Sequence, residues 1–125
     1  MIKKFFFDKH IDKRGILTPF NFDKILNKKI QRLFLVSLKK NLKRGGHAHK
    51  KGFQIFVCIK GKINFEIINK SKKFKFLLNE KNNFGYIIPS NHWVSFSSKI
   101  KNSLLLVMCT TKFDKKNYIY EIDKL

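Results

Sequence analysis

Cysteine is scarce in this chain. Cys58 and Cys109 each sit inside an apolar run, which excludes a disulfide framework and a CxxC metal site and predicts buried, reduced thiols. That usage points to the cytoplasm. No run approaches the ~20 apolar residues of a membrane-spanning helix, and Met1-Ile2-Lys3-Lys4-Phe5-Phe6-Phe7-Asp8 returns to charge after three aromatics, without the apolar core of a signal peptide. Repeats, low-complexity tracts and linkers are absent too, so the 125 residues predict one domain over 1–125. Acidic residues are few, 8 against 28 Lys and Arg, for a net charge of +20. The lysines are spread over nearly every segment instead of forming a patch. The excess therefore argues against a nucleic-acid binder and fits a phosphate-bearing small molecule.

What is present is the material of a β core. At 43% hydrophobic and 14% aromatic the chain can bury a substantial interior. Short runs rich in Val, Ile, Phe and Leu recur at 5–7, 16–18, 31–37, 54–59, 63–68, 73–78, 86–88, 92–96 and 103–110, with turns at 12–15, 60–62, 69–72 and 79–83. Strands at this spacing predict an all-β sandwich or barrel. In Lys73-Phe74-Lys75-Phe76 the alternation makes the lysines the wet side of a sheet. A helical turn is expected between Asn21 and Lys29, and Tyr118, Ile119 and Ile122 are spaced for a short C-terminal helix.

The stretch Arg44-Gly45-Gly46-His47-Ala48-His49-Lys50 carries the chemistry. As a strand, its period of two puts His47 and His49 on one face about 7 Å apart, aimed at one volume. The glycines allow a bend or a close ligand approach, while Arg44 and Lys50 place fixed positive charge beside groups that titrate near neutrality. Such a set suits proton transfer on an anionic substrate. Arg32, a charge inside an apolar strand, calls for a partner or a ligand. Tyr86, His92 and Trp93 are further candidates for the pocket wall.

His-x-His on a strand, Gln54, Gly61 and then Gly85-x-x-x-Pro89-x-x-His92 resemble the two motifs of the cupin superfamily, small jelly-roll barrels that bind ligands in the mouth. Gln54 stands where metal-binding cupins carry Glu, and the Pro89-to-His92 spacing is one residue shorter. These departures argue against a metal, for which His47, His49 and His92 would otherwise be a sensible set of nitrogens. A longer pattern resembles the nucleotide-sugar 3,4-ketoisomerases. It comprises Arg14-Gly15, 29–34, Arg44-Gly45-Gly46-His47-Ala48-His49-Lys50-Lys51, Gly85-Tyr86-x-x-Pro89-x-x-x-Trp93, 96–98 and Phe113-Asp114-x-x-x-Tyr118-Ile119.

That resemblance implies a cupin-type jelly roll acting without metal or cofactor on dTDP-4-oxo-6-deoxy-D-glucose, in a homodimer that exchanges N-terminal strands. It further implies His47 as base and His49 as its partner, and Arg14, Arg44 or Lys50 as stabilisers of enediolate charge. Arg32 would serve at the pyrophosphate, and Arg14 points to a galacto-configured 3-oxo product for dTDP-3-amino-sugar biosynthesis. Two other readings use the same residues: a 3,5-epimerase of the same substrate, and a non-enzymatic metal- or sugar-binding cupin.

Overall fold

A computed structural model describes residues 1–22 and 27–125. The helical turn expected between Asn21 and Lys29 falls partly on residues 23–26, outside the described ones. The described chain is nearly all β: β1 (Lys3–Phe6), β2 (His10–Asp12), β3 (Gly15–Leu17), β4 (Arg32–Leu38), β5 (Arg44–His49), β6 (Gln54–Lys60), β7 (Lys62–Asn69), β8 (Lys72–Asn79), β9 (Phe84–Ile88), β10 (Trp93–Ser97), β11 (Ser103–Cys109) and β12 (Tyr118–Ile119). Two antiparallel sheets of five face each other, in the orders β1-β9-β6-β11-β4 and β12-β5-β10-β7-β8, and β2 and β3 form a separate hairpin. This is the cupin-type jelly roll expected. Among the described residues no helix is long and apolar enough to cross a membrane.

Alternation builds the core. On β7, Ile63, Phe65 and Ile67 point inwards and meet Phe56 and Cys58 of β6, Leu105 and Val107 of β11, and Val94 and Phe96 of β10. Strands β6 and β11 are apolar on both faces because both are covered. Outside the first sheet, Ile55, Val57, Leu106 and Met108 pack with Phe5 and Ile87 under Phe7, Phe20, Ile30 and Phe53. The N-terminal segment thus shields the outer face of the sheet. Its shielding stops short of β4, where Leu33 and Leu35 stay 55% and 59% exposed.

The tail differs from expectation. The short C-terminal helix resolves into two three-residue 3-10 turns, Lys115–Asn117 and Ile122–Lys124, and between them Tyr118 and Ile119 pair antiparallel with His49 and Ala48. Backbone donors and acceptors at the edge of β5 outcompete local helical preference, since each needs a partner once water is excluded. Leu105 is fully buried where the two sheets meet. Leu105→Ala is expected to cost about 2–5 kcal/mol in urea unfolding through the cavity it leaves.

Candidate active site

Local backbone geometry on β5 sets the site. Gly45 and Gly46 have φ of +82° and +78°, a region that side chains rarely adopt. Opposite them the register of β10 jumps: Val94 faces His47, but Ser95 faces Gly45 and Phe96 faces Arg44. The extra residue is a β-bulge, and it reverses the parity of the strand. Arg44 and His47, three apart, would lie on opposite faces of a regular strand; here both face inwards. A Cβ on Gly45 would meet the Val94 carbonyl oxygen at 2.6 Å, so the close approach of β10 requires glycine there.

Arg44, Gly45 and His47 line a cavity of about 100 Å³ with Phe34, Val36, Gln54, Phe56, Val94, Phe96 and Val107. His49, two residues on, shares the face of His47, their ring centroids 5.7 Å apart and planes 14° from parallel. Tyr118 of β12 lies against both imidazoles, at 4.9 Å from His47 and 4.7 Å from His49, and Tyr120 comes within 6.2 Å of His47. Arg32, at the start of β4, donates from Nη1 to the Tyr118 hydroxyl at 2.8 Å. Its guanidinium lies over the rings of Phe34 and Phe113, at 4.5 and 4.8 Å.

Burial pushes both histidines towards the neutral form. His49 is 5% exposed. Its pKa falls to about 4, first through desolvation and then through the charges of His47 and Arg32. His47 is lowered by desolvation and by Arg32, against a raising hydrogen bond to the Gly45 backbone. Among the described residues neither ring nitrogen of His49 has a hydrogen-bond partner. Buried polar atoms of this kind are normally satisfied, so both nitrogens of His49 are free to bond a group other than the described residues. Two neutral imidazoles can take and return protons near neutrality, and a fixed guanidinium beside them favours anionic charge.

The structure therefore brings together His47, His49, Arg32, Arg44 and Gln54. Lys50 is exposed at the end of β5, in an adjoining cleft with Asn91, Tyr118 and Tyr120. Arg14 lies elsewhere, 85% exposed at the tip of the β2–β3 hairpin and paired with Asp12 at 2.6 Å. Tyr86 packs on Phe76, its ring centroid 3.9 Å away, and meets Phe84 edge-on. His92 is buried with Nδ1 2.8 Å from the Ser90 carbonyl. Trp93 precedes Val94 and so points to the opposite face of β10. Among the described residues no three His, Cys, Asp or Glu side chains cluster as metal ligands would. Tyr118, Tyr120 and Phe113 are the site neighbours that sequence reasoning did not single out as such. The available signal was the Phe113-Asp114-x-x-x-Tyr118-Ile119 pattern.

The whole chain matches known proteins. The family model FdtA (WxcM-like, C-terminal) covers residues 2–125. A TDP-4-oxo-6-deoxy-α-D-glucose-3,4-oxoisomerase of Aneurinibacillus thermoaerophilus is 25% identical over 118 residues, 94% of this chain and 84% of that protein. QdtA, a sugar 3,4-ketoisomerase from Thermoanaerobacterium thermosaccharolyticum solved with TDP, superimposes with a TM-score of 0.90 at 25% identity, over 98% of this chain and 93% of its own. WlaRA, a TDP-fucose-3,4-ketoisomerase from Campylobacter jejuni, gives 0.87 at 27% identity over 98% and 91%. A dTDP-4-dehydrorhamnose 3,5-epimerase from Bacillus anthracis gives 0.83, but at 14% identity over 94% and 76%, a likeness of fold alone.

The low pKa of His49 makes a prediction about stability. The unfolded chain binds a proton on this residue near 6.5 and the folded one only near 4. Its contribution to stability is therefore complete above pH 6.5 and is lost as the pH falls towards 4. The urea midpoint is expected to drop through that window, and His49→Gln to lack that part of the drop.

Proposed function

Because the chain belongs to the FdtA family, we propose that it is an isomerase acting as a TDP-sugar 3,4-ketoisomerase, with dTDP-4-oxo-6-deoxy-D-glucose as substrate and His47 and His49 as its acid-base pair. One observation carries the reading: two parallel imidazoles, His49 buried and His47 half-buried, sit beside a guanidinium for which no carboxylate partner is found among the described residues. The C3 hydrogen of the substrate is acidic because it is alpha to the C4 ketone. His47, which faces the cavity, takes that proton, and the C3–H electron pair forms the C3–C4 double bond of an enediolate. The C3 hydroxyl proton passes to the oxygen on C4, leaving the C3 carbonyl. His49, or a relay through solvent, returns a proton to C4. Nothing is oxidised or reduced overall, and no cofactor is consumed.

Arg44 on the cavity wall stabilises enediolate charge, more strongly in a dry cavity than in water. Arg32 offers a planar donor set to the diphosphate. An epimerase would remove a proton beside the same ketone but leave that ketone at C4, and the epimerase likeness extends only to the fold.

A homodimer completes the proposal. Every residue of the β2–β3 hairpin is exposed, Ile11, Ile16 and Leu17 among them, and Leu33 and Leu35 leave an apolar strip on β4. A second copy of the chain is the natural cover for both. Strand exchange would also carry Arg14 from its isolated position to a partner's site, where it would favour the galacto-configured 3-oxo product. That product is the electrophile an aminotransferase needs to make a dTDP-3-amino sugar. Cys58 and Cys109, both buried and unpaired, fit work in the cytoplasm.

Incubation with dTDP-4-oxo-6-deoxyglucose in deuterated water, followed by NMR, is expected to show the ketone at C3, deuterium at C4 and galacto configuration. A ketone retained at C4 would refute the assignment. His47→Asn and His49→Asn should each lower turnover by about 100-fold or more, the scale of a lost general base, with an unchanged circular dichroism spectrum. In sedimentation velocity the wild type should run as a dimer, and Leu33→Lys with Leu35→Lys should shift it towards monomer.

A further inference from the structure

The residues that bring Tyr118 to the histidines form a latch of their own. Asn117, buried beside the end of β5, accepts from the Lys50 amide through its backbone carbonyl at 2.7 Å and from the Lys51 amide through Oδ1 at 3.1 Å. Its side-chain amide donates back to the Lys51 carbonyl at 3.2 Å. One residue earlier the Lys116 amide donates to Asp114 Oδ1 at 3.0 Å, capping the 3-10 turn. The next residue along is Tyr118, fixed in register with His49.

Tyr118 then does two things at once. Its ring covers both imidazoles, and its hydroxyl oxygen accepts from Arg32. Among the described residues no carboxylate pairs with Arg32. Its guanidinium is therefore located by aromatic faces and by one phenol, not by a counter-ion.

We propose that Tyr118 is a positioning residue: by clamping Arg32 beside the imidazole pair and sealing that pair from water, it keeps both histidines in the proton-accepting form. This rests on the histidine acid-base reading above. The charged and titratable groups around the pair are Arg32 and Cys109 from the first sheet, Arg44 on β5 and Lys50 just past its end, and Tyr118, Tyr120 and Glu121 from the tail. Gln54 on β6 and Val94 and Phe96 on β10 do not titrate. Glu121, the one carboxylate in this set, is exposed and paired with Lys124, so a protonated imidazole would sit in a poorly hydrated place beside fixed positive charge, and both effects disfavour it.

The test is NMR titration of the imidazole C2–H signals in the full chain, set beside the pH profile of kcat/KM. Tyr118→Ala removes cover and clamp together. It should raise the titration of both histidines by about one pH unit, the scale on which a nearby like charge acts, and move the acidic limb of activity up with it. Tyr118→Phe keeps the ring and loses only the hydroxyl, so it should move both in the same direction by less. It also serves as the deciding variant if the alanine protein does not fold. Titrations that stay in place in the folded variants overturn the proposal, whatever happens to turnover. Titrations that move while the activity profile does not leave the clamp standing and remove the histidine-base reading instead.

Discussion

A single inserted residue on β5 governs the site. Gly45 and Gly46 can occupy left-handed backbone conformations, so β5 can carry one residue more than β10 opposite it. The pleat then resumes with its faces exchanged. Arg44 and His47 reach the same cavity by this means, and His49 follows two residues later against β12. With a side chain at Gly45 the strand would press on the Val94 carbonyl, and the ring positions that follow would shift with it. The chemistry of the imidazoles therefore depends on a backbone feature lying just before them.

Electrostatics is the second determinant. Residues 24–65, which supply β4, β5 and β6, contain no Asp or Glu, and 12 of these 42 positions are Lys or Arg. An imidazole buried next to a carboxylate is pushed towards the imidazolium. Here desolvation and Arg32 push the other way, and His49 falls to about 4. The same one-signed field favours the approach of an anionic ligand to the barrel.

Much of this was legible in the sequence. Runs rich in Val, Ile, Phe and Leu bounded by turns marked nearly all of the barrel strands, and the period of two placed His47 and His49 on one face, because a buried sheet leaves a local trace. The inward turn of Arg44 left none, since parity argued through a regular strand gives the wrong face beyond a bulge. Tyr118 and Ile119 were read as helical because their strand is only two residues long and exists through pairing with a distant partner. Trp93 and His92 stand next to the motif, yet the pleat turns one outwards and a backbone carbonyl holds the other. Adjacency along the chain does not carry such information. The family pattern covering 113–119 did reach across the chain, which is why it contained a residue that periodicity misplaced.

His49 and its cross-strand partner Tyr118 are separated by more than half of the chain, with β6 to β11 between them in synthesis. Closing so long a loop is entropically slow, and its reward is local: a two-residue ladder, the Asn117 bonds to Lys50 and Lys51, and the Tyr118 hydroxyl on Arg32. The two large sheets can consequently assemble first, leaving the imidazoles wet until the tail docks. The dryness of the imidazoles thus depends on a contact made late along the chain.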